Sequence, residues 1–77
     1  MWSLFNKSLP AISKDHALTI AKNENEMRGW TWQEPIKIEL TLFNWYIYTN
    51  AEKKGANSWF YINRNDGRVI KAGRIPR

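Results

Sequence analysis

Few residues of this chain have the types and spacing that catalysis or metal binding requires. His16 is the only histidine, and the chain contains no cysteine. A histidine acting as a base needs a nucleophile beside it, and none of the serines lies in a recognisable nucleophile motif. Glu24 and Glu26 lie two positions apart on a predicted helix, so their carboxylates point in different directions. We therefore expect no enzymatic activity, no metal site and no cofactor.

Aromatic residues at alternating positions indicate binding instead. Four of them are predicted on the sheet face that points away from the helix, with Lys37 and Lys71 nearby: Tyr46, Tyr48, Trp59 and Tyr61. Such a patch exceeds what most monomers expose, and Tyr and Trp are favoured at binding hot spots. Three interpretations stay open: the N-terminal arm or a second copy covers the face, another protein binds it, or single-stranded nucleic acid stacks on it.

The positive charge is concentrated near the C-terminus. The net charge is +5, yet residues 1–51 contain five basic and five acidic residues. The excess therefore lies in residues 52–77, where a localised basic surface favours an acidic partner. The arginines expected to meet acidic groups of that partner are Arg64, Arg68, Arg74 and Arg77.

The nucleic-acid interpretation has less support in the sequence. An RNA-recognition sheet carries a Lys/Arg-Gly-aromatic signature, whereas Lys54-Gly55 is followed by Ala56 in a predicted loop. Glu39 is also predicted on the sheet face that carries the four aromatic residues, where its carboxylate would repel phosphate. We therefore expect a protein partner with an acidic surface, with nucleic acid as the alternative and a homodimer as a third arrangement.

One helix is predicted over about residues 14–28. Ser13 is a suitable N-cap, because its hydroxyl can accept hydrogen bonds from the free amides of the first turn. Gly29 is a suitable helix stop. The predicted apolar stripe, which would pack on the sheet, consists of Ala17, Ile20, Ala21 and Met27.

Four antiparallel strands are predicted after the helix. Residues 36–42 alternate regularly between apolar and polar side chains, which is typical of a half-buried strand. A two-residue turn at Phe43–Asn44 would pair the strands in the register Leu42 with Trp45, Leu40 with Ile47 and Ile38 with Thr49. Together with a final hairpin, this predicts an α+β domain of two layers.

The final hairpin is predicted to turn at Asn65-Asp66-Gly67, with Gly67 in the left-handed conformation. This three-residue loop pairs Phe60 with Ala72 and Ile62 with Ile70, and places Phe60, Ile62 and Ile70 in the core.

Two segments with aromatic residues lie outside the predicted strands. Either Trp30 or Trp32 is expected to close the open end of the helix–sheet core, with the other exposed. Residues 1–11 form a predicted arm in which Trp2, Phe5 and Leu9 share a helical face. The arm either packs on the core or anchors the chain to a partner or a membrane surface.

With these elements placed, the chain resembles the PepSY and PepSY-like group of small bacterial domains. The resemblance covers about residues 12–75 and includes the helix opening, the segment after it, the second strand and the last hairpin. The hairpin matches the family pattern at Ile62, Asn63, Asp66, Gly67 and Val69. The matching stretches are ISKDHALTIAKNE, GWTWQEP, NWYIYTN and WFYINRNDGRVIKAG.

The resemblance implies a non-catalytic binding or inhibitory module spanning residues 12–77. Stand-alone versions resemble small immunity proteins of bacterial toxin systems, which neutralise a toxin by occluding it. The first residues show neither the apolar run nor the cleavage site of a signal peptide, and no segment approaches the roughly 20 apolar residues of a membrane span. A cytoplasmic location is therefore expected.

Overall fold

The structure, a computed structural model, describes residues 9–76. These residues form one helix and a four-stranded antiparallel sheet, so the chain has the predicted α+β architecture. Helix α1 spans Lys14–Met27, and the strands are β1 (Lys37–Leu40), β2 (Asn44–Tyr48), β3 (Asn57–Asn63) and β4 (Val69–Ile75). The strands follow one another in spatial order β1-β2-β3-β4, which leaves β1 and β4 at the edges.

Helix α1 begins and ends as its sequence predicts. The Ser13 hydroxyl accepts a hydrogen bond from the His16 amide at 3.0 Å, and the helix ends two residues before Gly29. Its buried residues are Ala17, Ala21 and Asn25. The small alanine side chains allow the helix backbone to approach the sheet closely.

The predicted apolar stripe of α1 is wrong at its last position. Met27 is 79% exposed, whereas Asn25 is buried. Four-residue steps along the helix lead from Ala17 through Ala21 to Asn25, so Asn25 continues the inward row. Its side-chain amide donates to the Trp30 carbonyl at 2.8 Å and ties the segment after the helix back to α1.

The core lies between α1 and the inner face of the sheet. Strand residues Phe60, Ile47 and Ile62 are fully buried there beside the two alanines. Both Trp30 and Trp32 pack against this core, with ring centroids 6.3 and 6.2 Å from that of Phe60. The prediction that only one of them closes the core is therefore wrong, because the two rings share this position.

The β1–β2 hairpin differs from its predicted register by two residues. Leu40 pairs with Trp45 and Ile38 with Ile47, because the Thr41 amide and hydroxyl both donate to the Asn44 carbonyl. A shift of two residues keeps every side chain on its predicted face. It also moves Leu42 out of the strand, where it is 64% exposed instead of lying on the core side.

The β3–β4 hairpin contains an irregularity in its register. As a result Val69, and not Ile70, occupies the core side of β4. Phe60 pairs with Ala72 as predicted, but Ile62 pairs with Val69 because the register shifts between Tyr61 and Ile62. Val69 therefore packs against the core, and Ile70 is exposed, contrary to the prediction.

The turn between β3 and β4 is also one residue longer than predicted. The Asn63 amide donates to the Arg68 carbonyl at 2.8 Å, so four residues lie between these positions. Gly67 has φ +79°, the left-handed conformation predicted for it. The Asn63 side-chain oxygen accepts hydrogen bonds from the Asn65 and Asp66 amides, which hold the turn in place.

Candidate binding surface

The four predicted aromatic residues lie together on the outer face of the sheet. Tyr46 and Tyr48 come from β2, and Tyr61 and Trp59 are their cross-strand partners on β3. Their neighbours in sequence, Trp45, Ile47 and Phe60, point the other way into the core. We refer to these four residues, Tyr46, Tyr48, Trp59 and Tyr61, as the aromatic face.

The rings of the aromatic face form one continuous row. Ring centroids are 6.2 Å apart between Tyr48 and Tyr46, 4.9 Å between Tyr46 and Tyr61, and 5.9 Å between Tyr61 and Trp59. These distances are those of rings in direct contact, so no gap remains between them for a ligand group. The row is a platform on which a partner can lie.

The position of Trp59 depends on Gly73, its cross-strand partner on β4. A Cβ atom added at Gly73 would lie 2.3 Å from Cζ2 and 2.6 Å from Cε2 of Trp59. The indole therefore occupies the space that any other residue at position 73 would fill. Gly73 lets Trp59 lie across β4 toward the edge of the sheet.

A shallow open groove of about 540 Å³ runs over this surface. Besides the aromatic face, its lining includes Lys71 and Ile75 from β4. The sequence singled out Lys71 but missed Gly73 and Ile75. A glycine inside a strand is a signal of close approach, and it could have indicated that an aromatic ring lies over this position.

Three charged residues lie on the aromatic side of the sheet. Lys71 pairs with Tyr61 across β3 and β4, and Glu39 pairs with Tyr46 across β1 and β2. Glu39 also lies 3.9 Å from Lys37 in an exposed ion pair, which contributes little to stability. Lys71 makes no such pair among the described residues and is exposed.

The Tyr46 hydroxyl titrates in an unusual environment. Partial burial raises its pKa above the ordinary value of 10.0, and the neighbouring Tyr61, Tyr48 and Glu39 raise it further. Each of these groups would place negative charge beside a Tyr46 phenolate, so the neutral phenol is favoured. The hydroxyl stays a hydrogen-bond donor at neutral pH.

The four predicted contact arginines do not form one surface. Arg64 is only 5% exposed, and its Nη1 donates to the Thr41 carbonyl at 3.0 Å. The Arg64 amide donates to the Phe43 carbonyl, and its carbonyl accepts from the Ile12 amide. Arg64 thus joins the two hairpin turns to the start of the helix, and its assignment as a contact residue is corrected to a structural role.

The other arginines differ in position. Arg68 is exposed before β4, and Arg74 is exposed on β4. Arg74 pairs with Ser58, which lies on the core side of β3, so it belongs to the face opposite the aromatic row. Arg77, like Trp2 and Phe5 of the predicted arm, lies outside the described residues.

No described helix covers the aromatic face. Residues 9–76 contain a single helix, and its buried alanines join the core on the other side of the sheet. That helix is neither long nor apolar enough to cross a membrane. Within the same residues, no group of three or more His, Asp or Glu side chains could hold a metal ion.

Comparison with known proteins identifies no relative of this chain. No family model, no curated protein and no solved structure matches this chain. The resemblance to PepSY-like domains therefore stays a prediction from sequence motifs, and the geometry of the aromatic face is the basis for inferring function.

Proposed function

We propose that this chain is a non-catalytic protein-binding module that acts by occluding a partner with its aromatic face. Its leading specific form is an immunity-type inhibitor of a bacterial toxin, built as a PepSY-like domain and acting in the cytoplasm. The observation that carries the proposal is the continuous row of four half-buried rings on a sheet face that no described element covers.

The chemistry of the row suits a protein partner. Tyr and Trp bury large apolar areas, and they have few rotatable bonds to immobilise on binding. Contacts between neighbouring rings also hold them in place before a partner arrives, which lowers the entropy lost on binding. The open groove that these rings line offers a concave surface for an apolar anchor of the partner.

Electrostatics favours an acidic partner. Lys71 lines the groove and Arg68 is exposed just before the same strand, while Glu39 is the single acidic residue that the strand register places on this side of the sheet. Positive potential around the groove accelerates association with a negatively charged surface and weakens with salt.

Single-stranded nucleic acid is the second candidate, because bases can stack on exposed rings beside cations. Its affinity must fall steeply as salt rises, since phosphate binding releases counterions. Titrating a labelled oligonucleotide at low and moderate salt tests this candidate. Absence of binding at low salt would eliminate it.

The proposed protein binding is tested by affinity capture from cells of the source organism. Tyr48→Ala removes a ring at the end of the row, whereas Trp59→Ala would also uncover Gly73. Met27→Ala is the matched control, since Met27 is an exposed apolar residue of α1. Tyr48→Ala is expected to reduce partner recovery at least about tenfold, and Met27→Ala to leave it unchanged. Equal recovery with both variants would contradict the proposal.

A further inference from the structure

Strand β4 forms an open edge of the sheet next to the aromatic face. It spans Val69–Ile75, and among residues 9–76 no strand pairs with its outer side. An unpaired edge presents a row of backbone donors and acceptors that an added strand can bind.

The hydrogen-bond pattern identifies the free backbone groups. The Thr49 amide donates to the Ser58 carbonyl, so Ser58 faces β2 and the alternate residues of β3 face β4. The Asn63 amide donates to the Arg68 carbonyl, in agreement with this alternation. Residues 71 and 73 of β4 therefore bond to β3, and the amides and carbonyls of Ala72 and Arg74 point to the free edge.

Charge determines which strand this edge can accept. Lys71 and Arg74 lie on it, Arg68 directly precedes it, and residues 67–76 contain no acidic residue. A second copy pairing through β4 would bring the same cations and no acidic residue, so it offers no opposite charge to any of them. A strand with acidic side chains on the inner face of the sheet would instead meet a complementary charge at Arg74.

Trp59 supplies an apolar contact for the same strand. Its indole lies across Gly73, whose missing side chain leaves no barrier between the ring and the edge. A side chain of an added strand, placed beside Gly73 on the outer face, would therefore reach the indole. Ile75 lines the groove next to this position.

We propose that an extended acidic segment of a partner protein adds to β4 as a fifth strand, with an apolar side chain beside Gly73 and acidic side chains beside Arg74. This inference rests on the proposed protein-binding function and names the partner segment. Backbone pairing supplies affinity, while Arg74 on the inner face and Trp59 on the outer face select a strand that alternates acidic and apolar residues.

The probe is a synthetic peptide of about ten residues that alternates glutamate and valine, long enough to pair along the edge strand. Amide hydrogen exchange of the full chain is followed by NMR with and without this peptide. The amides of Ala72 and Arg74 are expected to become protected by at least about tenfold. A peptide that alternates lysine and valine is the charge-reversed control and is expected to give no protection.

Two substitutions of Arg74 separate the contribution of its charge to peptide affinity from the contribution of its backbone amide. Arg74→Gln removes the charge and keeps the amide, whereas Arg74→Pro removes both at an edge position where proline is tolerated. Peptide affinity is expected to fall severalfold with Arg74→Gln and about tenfold further with Arg74→Pro. Lys14→Gln on α1 is the control and is expected to bind as the natural chain does.

Three results would overturn the fifth-strand inference. The first is peptide binding without protection of the Ala72 and Arg74 amides, a measurement on the natural chain that is independent of how any variant folds. The second is equal peptide affinity for Arg74→Gln and Arg74→Pro. The third is protection of both amides before peptide is added, which would mean that residues 1–8 or a second copy occupies the edge. Loss of partner capture by Tyr48→Ala would still support the proposed function in each case.

Discussion

The two faces of this sheet carry large aromatic side chains in different surroundings. On the inner face, Phe60 is fully buried and Trp45 is 8% exposed, under a helix that approaches through its alanines. On the outer face, the aromatic rings contact one another and stay partly open to solvent. The strands supply both faces by simple alternation. What separates core from binding surface is therefore which face the helix covers.

The largest difference in stability is expected between a substitution of Phe60 on the inner face and one of Tyr48 on the outer face. Phe60→Ala leaves a cavity among Ile47, Trp30 and Trp32 and is expected to cost about 4 kcal/mol of unfolding free energy. Tyr48→Ala at the open end of the row is expected to cost about 1 kcal/mol. Urea unfolding followed by circular dichroism measures both. Equal losses would mean that the outer face is a second core.

The contrast between buried and exposed side chains also applies to Arg64 and Arg68. Arg64 is buried between the hairpin turns, so Arg64→Gln is expected to cost about 2 kcal/mol by breaking hydrogen bonds of a charged group. Arg68 is exposed, and Arg68→Gln is expected to change stability by less than about 0.5 kcal/mol. Thermal unfolding of the two variants checks this difference. A larger loss for Arg68→Gln would contradict the structural role of Arg64.

Gly73 tests whether Trp59 is held in place by β4. Gly73→Ala puts a methyl group where the indole lies, and we expect a cost of about 1–2 kcal/mol as the ring is displaced. In a Trp59→Leu background the same change should cost less than about 0.5 kcal/mol, because the indole is absent. A double-mutant cycle from urea unfolding measures the coupling. Strict additivity would show that the two residues do not contact each other.

The smallest expected effect on stability comes from the ionisation of Tyr46 at high pH. Its pKa is raised in the folded protein, so the unfolded chain loses this proton first. Stability from Tyr46 is therefore present below about pH 10 and is lost as pH rises above the unfolded pKa. Glu39→Gln removes one cause and should lower the Tyr46 pKa, measured by NMR. An unchanged or higher pKa in this variant would contradict the assignment.

The sequence predicted the faces of the elements better than their pairing. The Ser13 cap, the helix and the position of Phe60 opposite Ala72 are all as predicted. Alternation determines the face of a side chain, but a register shift of two residues leaves every face unchanged. The hydrogen bonds between Thr41 and Asn44 select the observed register. The alternation of apolar residues does not predict these bonds.

Buried polar residues were the other features that the sequence could not reveal. Composition places arginine and asparagine at the surface, yet Arg64 and Asn57 are buried because their side chains donate to backbone carbonyls, that of Thr41 for Arg64 and those of the preceding loop for Asn57. Asn57 donates to the carbonyls of Thr49, Asn50 and Lys53, which holds the loop between β2 and β3. Such partners depend on tertiary structure, so only the folded chain shows which polar residues are structural.

Tyrosine-specific acetylation most directly tests whether the outer face is open in the intact protein. All three tyrosines of the chain belong to the aromatic face, so mass spectrometry of the modified full-length protein reports on this surface alone. We predict that Tyr48 and Tyr61 are acetylated while the protein remains folded, and that the extent does not depend on protein concentration. Tyrosines that react only after unfolding would show that residues 1–8 or a second copy covers the face, and would contradict the account.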